Sequence, residues 1–136
     1  MFHSTLKLTK VVKPGERIDT LHIGANRNRM RGYINVLRMK DKDTHQVILF
    51  VPAFDMTSYG ETPEKAEEML QASIHLFFED ILSLTSGKMA EALAELGWKK
   101  DKLRNKDFSK VSVDVEGNLK DFNIVPNEVE HLALVS

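Results

Sequence analysis

A chain of 136 residues with 42% hydrophobic and 29% charged side chains has the size and composition of one compact domain, which excludes wholesale disorder and a fibrous repeat. It contains no cysteine, so disulfides, thiol catalysis, cysteine-ligated zinc and iron–sulfur clusters are excluded together. Nineteen basic and twenty acidic residues give a formal net charge of −1, which excludes attachment to nucleic acid by overall charge alone.

The first seven residues lack the continuous apolar core of a signal peptide, and no run approaches the ~20 apolar residues needed to cross a bilayer. The expectation is a cytoplasmic protein with no membrane contact. Leu6, Leu8, Val11 and Val12 alternate roughly with Lys and Thr before Pro14-Gly15, predicting a first strand that ends near Val12. Residues 24–31 have neither helical nor strand period, and their Gly and Asn content predicts a basic loop. Residues 33–39 and 46–51 read as an antiparallel strand pair around the charged turn at residues 40–44. The second of these, Gln-Val-Ile-Leu-Phe-Val, is apolar almost throughout, which predicts a central strand covered on both faces and ended by Pro52.

Residues 63–82 form the clearest element. Ala66, Met69, Leu70, Ile74, Phe77, Phe78, Ile81 and Leu82 recur at three- and four-residue spacing, with Glu64, Glu67, Glu68, Gln71, His75 and Glu79 opposite. Thr62 suits the N-cap, Pro63 the first helical position, and Glu64 the positive end of the helix dipole. After a break at Gly87, a second helix is predicted over residues 88–96, with Met89, Ala92, Leu93 and Leu96 on one face and Gly97 as its stop. Trp98 reads as a core plug. Beyond five bases in residues 99–106, Val111, Val113 and Val115 predict one strand of a small hairpin that turns at residues 116–118 and returns over residues 119–125. Residues 129–135 would then make an edge strand or a frayed terminus.

Charge is polarised along the chain. Residues 1–42 hold ten basic and three acidic side chains, whereas residues 54–84 hold seven acidic and one basic. The two segments can neutralise each other within the fold or across a homodimer, and a basic face for RNA, DNA or an acidic partner is the alternative. No phosphate-binding, metalloprotease or nucleophile-elbow motif is present, and the five histidines are isolated. No enzymatic activity, metal or cofactor is therefore expected. The helix carboxylates and His75 read as a solvated face. Arg27, Arg29 and Arg31 stand at alternate positions in the expected loop, where three guanidinium groups could converge on phosphates or carboxylates, and they are the candidate partner- or nucleic-acid-binding residues.

The segment Val47-Ile-Leu-Phe-Val-Pro52, followed by Thr57-Ser58-Tyr59-Gly60-Glu61-Thr62 and then Pro63-Glu64-Lys65-Ala66 with its helix, resembles the HicB-like family, the antitoxin side of HicA/HicB toxin–antitoxin modules. The likeness covers about residues 32–82. It implies an α+β fold in which a small antiparallel sheet is packed by one long amphipathic helix, a partial RNase H-like arrangement. The whole chain then reads as one domain, 1–136: a basic N-terminal strand and loop (1–31), a β-β-β-α core (32–82), and a C-terminal helix and hairpin (86–136). Neither strand at residues 33–39 nor that at 46–51 carries the Asp or Glu that a two-metal nuclease would need. Residues 86–136 match neither a helix-turn-helix nor a ribbon-helix-helix, so no operator DNA binding is expected. The resemblance implies a binding protein that contacts a HicA-like toxin, and homodimerisation is expected with it. An RNA-binding accessory domain using the basic N-terminal segment is the alternative.

Overall fold

The computed structural model describes residues 3–4, 6–11, 18–23, 29–100, 107–110, 122–125 and 128–135. Nine strands and two helices occur among them: β1 (His3–Ser4), β2 (Lys7–Lys10), β3 (Asp19–Ile23), β4 (Arg29–Lys40), β5 (Val47–Val51), β6 (Met56–Gly60), α1 (Pro63–Leu82), α2 (Ser86–Glu95), β7 (Lys99–Lys100), β8 (Asp107–Lys110) and β9 (Glu130–Val135). The fold is α+β. All nine strands join one sheet, antiparallel except where β1 runs parallel to β4. The expectation of a small sheet is thus corrected.

The sheet is organised by β4, whose 12 residues are long enough to serve different neighbours at its two ends. Along one edge it pairs first with β3, from Met30 opposite Ile23 to Tyr33 opposite Thr20, and then with β5, from Leu37 opposite Phe50 to Lys40 opposite Val47. Asn35 falls in the gap between those neighbours, where its N–H has no strand to donate to. The buried Asp19 carboxylate fills the gap, accepting from the Asn35 N–H at 2.7 Å and from its Nδ2 at 3.1 Å. Along the other edge β4 pairs with β9, and β2 lies beyond. Residues 129–135 are therefore neither an edge nor a frayed end, because Leu132, Ala133 and Leu134 bury between two neighbours. The loop predicted at residues 24–31 is corrected at its end, where Arg29 and Arg31 belong to β4, drawn into the ladder by β1 and β3, while residues 24–28 lie outside the described residues. The expected hairpin at residues 111–125 lies mostly outside the described residues.

β5 is buried at all five positions. Val47, Leu49 and Val51 join the main core under α1, while Ile48 and Phe50 face a second cluster with Leu37, Met39 and Ile124. This is the cover on both faces that the apolar run predicts. α1 starts at Thr62, whose hydroxyl accepts from the Lys65 N–H at 3.2 Å, with Pro63 at the first position. Its buried face is Ala66, Leu70, Ile74, Phe78, Ile81 and Leu82. Met69, expected in the apolar stripe, is instead 45% exposed, because the buried row is centred on the i, i+4 series from Ala66 to Phe78 and Met69 stands well round from it. Phe77 is half-buried at the rim.

Gly60 is where β6 meets α1. A Cβ there would come within 2.3 Å of the Ala66 nitrogen, so the close approach of helix to strand requires glycine. A short 3-10 turn (Pro52–Phe54) carries Phe54 into an aromatic cluster, with ring centroids 4.9 Å from Phe77, 5.2 Å from Phe78 and 5.5 Å from Trp98. Trp98 is a core plug as expected, 3% exposed, and its Nε1 donates to the Ala53 carbonyl at 2.9 Å. Gly87, expected to separate the helices, lies inside α2, whose N-cap is Thr85. The separation comes from residues 83–85 instead.

Candidate functional site

Of the three candidate arginines, Arg27 lies outside the described residues. Arg29 is placed only through its backbone, opposite His3, and Arg31 is exposed on β4 opposite His22. Strand geometry puts positions 29 and 31 two apart on a ladder, not on a mobile turn that could fold round a ligand. A three-arginine cluster is not part of what the structure describes.

A different site emerges where the far end of β4 meets the start of α1. Arg38 and Lys40 of β4, His45 of the β4–β5 turn, Glu61 before α1, and Glu128 and Glu130 at the entry to β9 surround a cleft of about 380 Å³. Each wall has a local cause. Asp41 builds the turn by accepting from the N–H groups of Asp43 and Thr44, both at 2.9 Å, and His45 then takes a left-handed conformation with φ of 60°. Those two backbone bonds, Thr44's foremost, hold the Asp41 carboxyl below the usual carboxylate range. The Lys42 N–H donates to the Asn123 carbonyl at 2.9 Å and Asn123 Nδ2 to Asp43 at 2.9 Å, so the segment leading into β9 is tied to the turn.

Arg38 and Glu130 stand opposite each other in the β4–β9 register and form an ion pair of 2.6 Å, with 26% and 53% of their side chains exposed. Thr62 and the apolar Met39, Val47 and Pro63 complete the lining. Side chains of both charge signs therefore line the cleft. No simple polyanion or polycation is matched by such walls, whereas a surface carrying both signs is. Sequence reading missed this site because Arg38 and Glu130 are 92 positions apart and no local pattern links them.

The outer side of α1 carries Glu64, Glu68, Glu79 and Asp80, all exposed, as a solvated face. His75 is on that face as expected, 3.0 Å from Glu79 one turn on. Among the described residues no group of three metal-ligating side chains is close enough to hold an ion, and no helix is long and apolar enough to cross a membrane. No family model, no curated protein and no solved structure matches this chain.

Proposed function

We propose that this chain is a non-enzymatic binding protein of the HicB type, whose partner is a small HicA-like toxin and whose contact with it includes the cleft at the start of α1. The observation that carries this reading is that both signs of charge line that cleft: Arg38 and Lys40 together with Glu61, Glu128 and Glu130. An RNA strand presents phosphates of one sign, and in this cleft it would meet three carboxylates. A protein surface brings both signs and can answer each, which favours a protein over the RNA alternative. The order β4, β5, β6, α1, with glycine required at position 60 by the close helix–strand approach, supports the antitoxin-like reading.

The test is calorimetric titration against a HicA-like protein from the adjoining reading frame. Reversing two walls together, Glu128→Lys with Glu130→Lys, is expected to weaken binding by ~10-fold or more while the fold stays intact, because the Arg38–Glu130 pair is partly exposed and contributes little to stability. No binding by the unaltered chain, or an affinity unmoved by the double reversal, would overturn the proposal.

A further inference from the structure

Among the described residues, and apart from the two-residue β1, the sheet ends on three strands: β2, β7 and β6. Two of these are guarded by charge. β2 exposes Lys7 and Lys10, and β7 consists of the exposed pair Lys99 and Lys100. Lysines on an outer strand discourage another chain from adding to it. β6, Met56-Thr57-Ser58-Tyr59-Gly60, carries no charge at all, and among the described residues only β5 pairs with it.

Backbone geometry shows which groups of β6 face outward. The Tyr59 N–H turns away from β5 and donates to the Met69 thioether at 3.5 Å. A thioether is a weak acceptor, so this amide is poorly satisfied. Alternation along an antiparallel ladder gives Thr57 the same outward orientation, while residues 56, 58 and 60 serve β5. Ser58, buried, donates its hydroxyl to the Ala66 carbonyl at 2.9 Å and so fixes α1 over the strand.

We propose that β6 pairs with β6 of a second copy of this chain, antiparallel about a two-fold axis at Ser58. The outward residues, Thr57 and Tyr59, lie equally far on either side of that position. The strand is therefore its own complement: Thr57 exchanges both backbone hydrogen bonds with Tyr59 of the partner subunit, and the reverse pair follows by symmetry. An uncharged edge puts no like charges across the axis. Tyr59, 47% exposed, then lies beside a β-branched threonine on the same face, a favourable cross-strand pair. The axis is perpendicular to the sheet, so both α1 helices stay on one face. Met69, 45% exposed where α1 overhangs the edge, gives up the Tyr59 N–H to the stronger carbonyl acceptor of the partner strand and is covered by it. This pairing does not depend on the toxin partner or on the cleft.

Sedimentation velocity at tens of micromolar protein, combined with amide hydrogen exchange, tests the pairing. The expected result is a mass near twice 15.5 kDa, with the Thr57 and Tyr59 amides protected in concentrated protein and exchanging faster on dilution. A Thr57→Lys, Tyr59→Lys double variant, with unchanged circular dichroism, is expected to sediment as a monomer. A monomer mass for the unaltered chain, a dimer whose two amides exchange freely, or a folded double variant that still dimerises would each overturn it. Should the variant fail to fold, the concentration dependence of exchange at those two amides decides alone.

Discussion

At the scale of the residue, two aspartates show the same side chain answering different needs. Asp19 is 1% exposed and closes the gap in β4's edge by accepting from both the backbone and the side chain of Asn35. Replacing it with alanine takes the Asp19 acceptor from those part-buried donors, and Asp19→Ala is expected to destabilise the fold by ~1–3 kcal/mol in urea unfolding. Asp41 sits in the turn beside the cleft with its pKa lowered, chiefly by the Thr44 backbone bond and then by that of Asp43. A carboxylate lowered on folding contributes stability that is fully present above its unfolded value of 3.8 and is lost as pH falls through the folded one. Asp41→Asn keeps an acceptor but removes the charge. Its stability deficit should be present at neutral pH and shrink to nothing well below the unfolded pKa, as read from urea midpoints across that range. A deficit that stayed constant with pH would contradict the assignment.

At the scale of the element, α1 shows how far periodicity reaches. The helix, its Thr62 cap, Pro63 start and the burial of Ala66, Leu70, Ile74 and Phe78 were all legible from spacing. Met69 was not, because an apolar residue at the margin of a stripe reads the same whether it turns inward or out. Phe78 is fully buried in the aromatic cluster, and Phe78→Ala is expected to cost ~3–5 kcal/mol. Leu76, on the same helix but 62% exposed, should change stability by no more than ~0.5 kcal/mol as Leu76→Ala. The two midpoints measured side by side place the buried face, and equal losses would show it to be misplaced. β5 was legible as central because both of its faces are apolar. β3 and the inner position of β9 were not, since they exist through pairing with residues 30–33 and 33–38 of β4, which no local pattern announces.

At the scale of the whole molecule, α+β character followed from one strand pair and one amphipathic helix, while the size of the sheet depended on pairings remote in sequence. The cleft is of the same kind: β4, the start of α1 and the approach to β9 supply its walls, and charge polarisation along the chain said nothing of the mixture of signs that results. That mixture of signs makes a protein the expected partner, and the three arginines offered by sequence spacing make RNA the competing one. The two accounts differ in their response to salt. Were Arg27, Arg29 and Arg31 to neutralise phosphates, log affinity for single-stranded RNA would fall with log salt by ~0.7 per contact. Replacing all three would then flatten the slope by about two units. The most direct measurement is the affinity of the chain for single-stranded RNA at about 150 mM salt, with and without those three arginines. The account predicts no binding at micromolar concentrations in either case; micromolar or tighter binding that disappears with the triple substitution would contradict it.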